Sequence, residues 1–304
     1  MKFVNPSVEI WEQDVTTPET LVEAMWAHIA RCVRVCYQVD KPNNNETEEE
    51  YVRRVIFRNP EERLANHYSV LEHGAVYFSI EFPDEIDGDT VDDELYELSN
   101  ILLKYNKFSK IKKEDTEFTH IWHISTNLRV LVEHDIMWAL KYAVPFNPYW
   151  HTYRVTASFI TNIGVAREFN RHRTHSISEE STRYCDYSKD RFGNELTFVV
   201  PTWYTGGNGK NDRECSMDSE FELTCEEAEK SYKRMISWGA TPQQAREILP
   251  LATKVQTIHT AFIDDWWDFL KLRHDEVSGP AHPNAKVVAD ILSDKLHCMF
   301  SNNG

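Results

Sequence analysis

Residues 152–162, TYRVTASFITN, are the segment that most limits the fold of this chain. They are rich in β-branched and aromatic side chains and contain no glycine or proline, a composition typical of a strand. A short helix is predicted directly after them, and a dense group of basic residues follows near the end of that helix. The segment therefore predicts a strand followed by a short helix, with the basic group near the end of that helix.

The N-terminal half predicts two helices and a second strand. An N-cap at Thr17 and Pro18 at the first helical position start an amphipathic helix. Its apolar face consists of Leu21, Met25, Ile29, Cys32 and Cys36. A second helix is expected through the fifties, and AVYFSIEF at 75–82 alternates as a half-buried strand does. The acidic run PDEIDGDTVDDELYE starts at Pro83, and we interpret 83–150 as an insertion or subdomain of unassigned purpose.

The C-terminal half predicts three more helices. Thr224 and Glu227 have the spacing of a capping box, which predicts a helix from there to Gly239. Thr241, Pro242 and Gln244 predict the start of another helix, which stops at Pro250. A long last helix is expected over residues 253–273. Since no internal repeat is visible, the order of elements predicts an α+β fold.

Composition excludes some classes of function. With 33 Lys+Arg against 49 Asp+Glu and a net charge of -16, the chain has no general attraction for nucleic acids or membrane surfaces. Its first residues, MKFVNPSVEIWEQD, lack a signal-peptide pattern, and no 18 apolar residues run together. The six scattered cysteines indicate reduced thiols. We therefore expect a cytoplasmic protein without nucleic-acid or membrane partners.

The stretch REFNRHRTHSISEESTRYCDYS at 167–188 concentrates positive charge in this acidic chain. Guanidinium groups and hydroxyls together bind phosphate through short charge-assisted hydrogen bonds. The groups in question are Arg171, Arg173 and Arg183 with Ser176, Ser178, Ser181 and Thr182. Glu179 among them suits a ribose hydroxyl or a ring N–H, so the combination indicates a nucleotide. A solvated helix face is the alternative for an Arg/His run of this kind.

Three other groups suggest structure rather than chemistry. His120 and His123 in HIWH have the wrong spacing for metal ligands on one helix face, so no metal site is expected. Cys185 is interpreted as a packed thiol. Trp266 and Trp267 are expected in the core or at a subunit interface. A dinucleotide fold and a P-loop are not indicated, because no GxGxxG follows a strand and TGGNGKND lacks the Walker spacing.

Four blocks in the expected order resemble the flavin-dependent thymidylate synthases. RHRTHSISEES fits the family's Arg-His-Arg-x7-Ser signature, and HYSVLEH resembles its upstream His, Ser/Thr and Glu motif. GATPQQAREILP is similar to its Gly, Pro, Ala-Arg, Leu-Pro element, and FLKLR, ending at Arg273, is similar to its late motif. The resemblance implies one elaborated α+β domain with a mixed or antiparallel sheet and packed helices. It also implies a homotetramer whose sites lie between subunits.

The resemblance also implies roles for individual residues. FAD would be held by a set of cofactor-binding residues: Ser69, Glu72, Arg171, His172, Arg173 and Glu179. The substrate dUMP would be bound by a second set: Glu168, Glu179, Ser181, Arg183, Arg246 and Arg273. Of these, Arg246 would hold the phosphate. Arg273 and His67 would be catalytic, with Arg273 against the uracil and His67 on the flavin and folate side of the pocket.

The implied reaction is reductive methylation of dUMP to dTMP. Methylenetetrahydrofolate donates the carbon, and NADPH reduces the FAD. The last helix departs from the family pattern, because Phe262, Asp264 and Asp268 stand where the family usually has Asn, Arg and Asn or His as FAD contacts. Two alternatives stay open: a variant that modifies another pyrimidine nucleotide or makes a hydroxymethyl product, and a non-catalytic nucleotide- or RNA-binding module.

Overall fold

The computed structural model describes residues 1–39, 45–57, 67–83, 93–102, 108–115 and 119–301 of the 304-residue chain. The α-helices in this part are α1 Leu21–Tyr37, α2 Glu48–Ile56, α3 Asp93–Leu102, α4 Leu128–Glu133, α5 Ile163–Phe169, α6 Asp212–Ser237, α7 Pro242–Ala245, α8 Ile263–Arg273 and α9 Pro283–Ser301. The strands are β1 Lys2–Val4, β2 Ser7–Trp11, β3 Ala75–Pro83, β4 Lys110–Asp115, β5 Thr119–Asn127, β6 Arg154–Asn162, β7 Ser176–Glu179, β8 Thr197–Val199 and β9 Lys254–Phe262.

The strands form antiparallel sheets, apart from one short parallel pair. A four-stranded sheet has the order β2-β6-β9-β7, and a three-stranded sheet has the order β3-β5-β4. Strands β1 and β8 form the parallel pair. Helices cover these sheets, so the predicted α+β fold with an antiparallel sheet and packed helices is confirmed.

The four-stranded sheet has a polar face and an apolar face. On the polar face Thr156 lies opposite Thr260, and Thr260 lies opposite Ser176. Helix α1 covers this face, where His28 Nε2 lies 2.9 Å from Thr156 Oγ1. The other face carries a hydrophobic cluster that includes residues of α5, α8 and α9. The sheet is therefore a middle layer, and the two strands that lead into α5 and α8 lie at its centre.

Trp266 joins α8 to the sheet. Its side chain is fully buried, and Nε1 donates a hydrogen bond of 3.0 Å to the carbonyl of Val155. Phe159 and Phe269 pack with it in the same cluster. Burying each such aromatic side chain contributes about 1.5–3 kcal/mol, and the satisfied indole N–H removes the cost of burying a polar group. Trp266 lies in the core as expected, whereas Trp267 is only half-buried, against His297 and Phe300.

The N-terminal predictions are largely confirmed. A short 3₁₀ turn, Pro18–Thr20, leads into α1, and the predicted face of α1 is buried except that Cys36 is half-buried. Helix α2 lies in the fifties as expected. Strand β3 forms, but residues 75–78 are continuously buried instead of alternating. The reason is that one cluster covers Val76 and Phe78 while a second covers Ala75 and Tyr77.

Segment 152–162 forms strand β6 over Arg154–Asn162, as predicted. Asn162 ends the strand and caps α5, because its Oδ1 accepts a 2.8 Å hydrogen bond from Val165 N. Helix α5 ends at Phe169, and Arg171 follows two residues later. The basic stretch thus begins near the end of a short helix, as the sequence indicated.

The capping box at Thr224 and Glu227 is wrong. Both residues lie inside α6, which starts twelve positions before Thr224 at Asp212. Asn211 is the N-cap, and its Oδ1 accepts a 3.0 Å hydrogen bond from Glu214 N. A capping pattern in mid-helix costs little where the residues are exposed, so the helix continues through it. The helix start predicted at Thr241 is confirmed, because α7 begins at Pro242 and Thr241 N donates to Gln244 Oε1 at 2.9 Å.

The long last helix over 253–273 is also wrong. Its first half is strand β9, which pairs with β6 from Lys254 opposite Asn162 to Phe262 opposite Arg154. β-Branched residues at 255, 257, 258 and 260 favour a strand once a partner strand is present. Only the second half is helical, as α8, and a further helix, α9, follows it.

Segment 83–150 contributes to the layers already described. Strand β5 pairs with β3 along its whole length, and β4 pairs with β5. Residues 84–92 of the acidic run lie outside the described residues, and α3 begins at Asp93. That 83–150 is an insertion stays a prediction. In the described part of the chain, no helix combines the length and the apolar character needed to cross a bilayer.

Gly74 is fixed by a close approach of α1, not by its backbone angles. A Cβ at this position would lie 2.5 Å from Ile29 Cδ1 and 2.8 Å from Met25 Cγ. We expect Gly74→Ala to lower the free energy of unfolding by about 1–3 kcal/mol, because overpacking forces α1 away from β3. Urea unfolding followed by circular dichroism measures the change.

Ile29→Val is the matched test, since it removes the methyl group that the new Cβ would meet. The double variant should lose less free energy of unfolding than the sum of the losses in the two single variants. Strict additivity would show that the Ile29 contact does not determine the cost of Gly74→Ala.

Candidate functional site

The C-terminal ends of α5 and α8 meet through Arg273. Its Nη1 donates to Glu168 Oε2 at 3.0 Å and its Nη2 donates to the Glu168 carbonyl at 3.0 Å. Its Nε donates to His172 Nε2 at 3.2 Å. A cation at the last turn of α8 and beside that of α5 is also favoured by both helix dipoles. Glu168, His172 and Arg273, three predicted site residues, therefore form one rigid group.

The Arg273 contact determines the protonation of His172. A guanidinium only donates, so His172 Nε2 is the acceptor and the proton of the neutral ring lies on Nδ1. Burial, followed by the charge of Arg273, lowers the pKa of His172 to about 4. At neutral pH His172 is an uncharged ring with one N–H to donate.

The positive charge of the 167–188 stretch comes from its arginines. Arg171 and Arg173 are exposed, and within the described ranges neither forms an ion pair. His175, in contrast, is buried against Trp266 with ring centroids 4.4 Å apart. Burial lowers the pKa of His175 to about 3, so it is neutral too. The stretch thus presents two accessible guanidinium forks beside an uncharged imidazole.

Two of the hydroxyls expected to bind phosphate face the interior. Ser176 and Ser178 are 1% and 4% exposed. Ser176 Oγ accepts a 3.4 Å hydrogen bond from Arg154 Nη2, and Ser178 Oγ lies 2.9 Å from His73 Nε2. Both belong to the polar face of the sheet because side chains alternate along β7. The phosphate role of these two serines is therefore wrong.

Glu179 faces the opposite side of β7. Its Oε2 accepts a 2.9 Å hydrogen bond from Asn170 Nδ2, at the end of α5. Burial raises the pKa of its carboxyl group. Glu180, the next residue, is almost fully buried and forms a 2.7 Å ion pair with Lys254, so it is structural. The alternation brings Glu179, but not Glu180, to the α5 surface.

A second basic group lies just beyond β7. Arg246 Nη1 donates to Thr182 Oγ1 at 3.4 Å, and Arg183 Nε donates to Gln243 Oε1 at 2.9 Å. Ser181 N donates to the Cys36 carbonyl at 3.0 Å, which anchors this loop to the end of α1. The structure therefore brings the predicted Ser181, Arg183 and Arg246 to one corner.

The upstream motif packs behind β7. The turn Tyr68–His73 leaves His67 and Ser69 exposed and buries Glu72. The Glu72 carboxylate forms an ion pair with Arg129, and its carbonyl accepts a 2.8 Å hydrogen bond from Arg154 Nη2. A carboxylate already neutralised by Arg129 presents little free charge to a ligand.

Sequence reasoning missed Arg129, Arg154 and His73, which hold this part of the molecule together. Arg154 is a buried cation that stacks over Phe262 at 4.9 Å. The signal for Arg154 was an arginine at the start of a strand of otherwise apolar or hydroxyl-bearing residues. Arg129 and His73 offered no comparable signal, because their partners Glu72 and Ser178 are far away in sequence.

The three residues that depart from the family pattern are all engaged within the chain. Phe262 lies under Arg154, and Asp264 forms a 2.8 Å ion pair with Lys110 of β4. Asp268 forms an exposed 2.9 Å ion pair with Lys271. Positions 262 and 264 therefore connect α8 to neighbouring strands.

The remaining sequence candidates are structural. Cys185 is fully buried, and burial raises the pKa of its thiol to about 12, as expected for a packed thiol. His120 and His123 lie on β5 and pair with Asp115 and Glu114 respectively. Among the described residues, no three His, Cys, Asp or Glu side chains are grouped to hold a metal ion.

Comparison with known proteins agrees with the motifs. Residues 149–297 match the family model described as "Thymidylate synthase complementing protein". The match covers this segment, just under half of the chain. The resemblance indicated by the sequence motifs is thereby confirmed.

Several flavin-dependent thymidylate synthases are similar to this chain in sequence, at modest identity. The flavin-dependent thymidylate synthase of Tropheryma whipplei (strain TW08/27) is 27% identical over 164 residues, 51% of this chain and 65% of that protein. The one from Kosmotoga olearia is 30% identical over 138 residues, 44% of this chain and 60% of that protein. The chain thus matches less than two thirds of the length of either relative.

A solved structure is also similar, the UMP/dUMP methylase PolB from Streptomyces cacaoi bound with 5-Br dUMP. It is 23% identical, with a TM-score of 0.40, and the match covers 47% of this chain and 66% of that one.

Every predicted site residue except His67, Ser69 and Glu72 lies within residues 149–297, the segment that matches the family model.

The coupling of His172 to Arg273 can be measured directly. We expect Arg273→Gln to raise the pKa of His172 above its wild-type value of about 4, because a neighbouring cation that disfavours the imidazolium is removed. NMR titration of the ring Cε1–H signals, assigned with His172→Gln, gives the midpoint. The exposed Arg167 provides the control: Arg167→Gln should leave the His172 midpoint in place, and an equal shift in both variants would contradict a specific contact.

Proposed function

We propose that this protein is a flavin-dependent thymidylate synthase. It would methylate dUMP at C5 to give dTMP, with methylenetetrahydrofolate as carbon donor and with NADPH as the reductant of FAD. The observation that carries the proposal is the shared surface of α5, β7 and α8. On it the Arg171-His172-Arg173 signature lies directly beside Arg273, which Glu168 and His172 hold in place.

The residues of the signature fit an anionic dinucleotide such as FAD. Arg171 and Arg173 are exposed forks that form no ion pair in the described part of the chain. They would bind the flavin's phosphates, with His172, Ser69, Glu72 and Glu179 completing the cofactor site. Bound FAD would supply the hydride that completes the methyl group. The protein's own task is to bind and orient.

The other basic corner fits the nucleotide phosphate. Arg246 and Arg183 flank Thr182, and Ser181 precedes it in a loop anchored to α1. With the phosphate held there, Glu179 would accept from a ribose hydroxyl or a ring N–H. On a protein of net charge -16, these local arginines would supply the attraction for anionic ligands.

Arg273 would act on the uracil ring. Both of its terminal nitrogens and its Nε are already held, by Glu168 and His172, so its orientation is fixed before substrate arrives. A preorganised cation stabilises the negative charge that develops on the ring as C5 becomes nucleophilic. His67, exposed at the start of the upstream motif, would line the folate side of the pocket.

The reaction needs no protein nucleophile. The thiol within the basic stretch, Cys185, is fully buried and protonated at neutral pH. Positioning and electrostatics therefore carry the protein's contribution. We further propose a homotetramer with sites between subunits and a cytoplasmic location, and we retain 83–150 as a proposed insertion.

A second candidate is a variant of this reaction. Asp264 is paired with Lys110 and Phe262 is covered by Arg154, so neither supplies the polar contact expected of the family at its position. Such a site could accept another pyrimidine nucleotide or stop at a hydroxymethyl product. A non-catalytic nucleotide- or RNA-binding module would retain the arginines but bind no flavin.

The product of the purified protein separates these candidates. We expect mass spectrometry of a reaction with dUMP, methylenetetrahydrofolate, FAD and NADPH to show dTMP, 14 mass units heavier than dUMP by its chemistry, because a methyl group replaces one hydrogen. Parallel reactions with UMP and dCMP test the variant. If the protein is colourless, binds no flavin and forms no new nucleotide, the non-catalytic binding module is the candidate that remains.

The role of Arg246 is tested by its removal. Arg246→Ala should raise the dissociation constant for dUMP by about 10-fold or more, since a charge-assisted hydrogen bond contributes roughly 1.5–3 kcal/mol. Calorimetry measures dUMP binding, and flavin retention serves as the internal reference. Arg234→Ala, at an exposed arginine of α6, is the control. A parallel loss of dUMP and flavin binding would assign Arg246 to folding instead.

A further inference from the structure

A buried chain of hydrogen bonds runs beneath the candidate site, on the polar face of the four-stranded sheet. It starts on α1, where His28 Nε2 lies 2.9 Å from Thr156 Oγ1. Thr156 Oγ1 lies 2.6 Å from Thr260 Oγ1, directly across the β6–β9 pair. Thr260 Oγ1 in turn lies 2.7 Å from His73 Nδ1. All four side chains are buried.

The chain continues from His73 to β7. His73 Nε2 lies 2.9 Å from Ser178 Oγ. His73 is the last residue of the upstream motif, and no role in the proposed reaction has been given to it. Both nitrogens of its ring are used, one for β9 and one for β7.

The ring of His73 must be neutral to make both contacts as one donor and one acceptor. Its side chain is 1% exposed, and burial lowers its pKa to about 3. Between two hydroxyls, either tautomer completes the chain, because each hydroxyl can donate or accept. Both hydrogen bonds of the neutral His73 ring are therefore present at neutral pH.

Strand β7 depends on such anchoring because it is a short edge strand. It has four residues and, among the described strands, pairs only with β9. Short edge strands are among the least protected parts of a sheet, so side-chain contacts decide their position. Ser178 faces inward to His73, and the next residue, Glu179, faces outward to Asn170 on α5. The contact of Ser178 with His73 on one face of β7 thus positions Glu179 on the opposite face, beside α5.

We propose that His73 is a positioning residue for the nucleotide site. By bonding Ser178 to Thr260, it sets the position of β7 and so of Glu179 and the loop of Ser181 and Arg183. His73 touches neither substrate nor cofactor and acts only through β7. The inference rests on the proposed function, because the nucleotide is the ligand that Glu179 and this loop would bind.

The experiment compares three variants that interrupt the hydrogen-bond chain at different places with a fourth, conservative variant. Ser178→Ala and His73→Phe remove the bond to β7. Thr156→Val removes two hydrogen bonds of the same buried chain but none to β7, so it is the matched control. His73→Gln, which keeps a donor and an acceptor, is the conservative replacement.

Two measurements are made on the full-length wild-type and variant proteins. Hydrogen exchange followed by mass spectrometry reports protection of the amides of residues 176–183, without any ligand. Calorimetry reports the dissociation constant for dUMP. We expect Ser178→Ala and His73→Phe to accelerate exchange in 176–183 and to weaken dUMP binding by about 2- to 10-fold, the effect of one hydrogen bond. His73→Gln should recover part of both losses.

The control determines the interpretation. Thr156→Val should lower the urea midpoint, yet leave exchange of 176–183 and dUMP affinity near wild type. If Thr156→Val changes both as much as His73→Phe does, or if His73→Phe leaves 176–183 as protected as before, His73 is not a positioning residue. If wild-type protein does not bind dUMP, the proposed function fails, while the exchange comparison still decides whether His73 holds β7.

Discussion

The pairing of β6 with β9 is the interaction on which the rest of the site depends. Each strand has nine residues, about 27–30 Å, and they run antiparallel from Arg154 opposite Phe262 to Asn162 opposite Lys254. Helices α5 and α8 therefore start at opposite ends of the pair. Seven and eleven helical residues add about 27 Å of length, so the two C-terminal ends can meet over the same face. They do meet, at Glu168 and Arg273. A slip in the pairing would separate the two.

The distribution of charge follows from burial. Histidines that would add charge to the basic stretch are neutral, since burial lowers the pKa of His172 to about 4 and that of His175 to about 3. The guanidinium groups stay charged, because arginine cannot be deprotonated in a protein. In this stretch the positive charge is therefore carried by the guanidinium groups that follow α5 and by those at the corner of Arg246. In the proposed function such an arrangement would select ligands by the position of their phosphates rather than by general attraction.

Local patterns predicted local structure and failed where tertiary pairing decided. Strand β6 and helix α5 could be predicted because their residue types agree with their final state, whereas the predicted cap Thr17 makes no side-chain cap bond and α1 starts at Leu21, after a 3₁₀ turn. The sequence predicts a helix over residues 254–262, whereas their pairing with β6 and β7 makes them a strand. In the site, the motif residues could be named, but the inward orientation of Ser178 could not, because it depends on which face of β7 is buried. The pairing of Arg129 with Glu72 could not be predicted from short segments, because the two residues are far apart in sequence.

Polar contacts join the region outside the matched segment to the region inside it. Lys110 of β4 pairs with Asp264 at the start of α8, and Arg129 of α4 pairs with Glu72 of the upstream motif. Glu72 also binds Arg154 through its carbonyl, and Arg154 stacks over Phe262, so these contacts form one connected group. Lys110 joins both residues to a strand that precedes residue 149, since it pairs with the exposed Asp264 and its Nζ lies 4.9 Å from the centroid of the Phe262 ring. Phe262 and Asp264 therefore pack together with β4, and a substitution at Asp264 alone would remove the carboxylate partner of Lys110 rather than restore a polar contact.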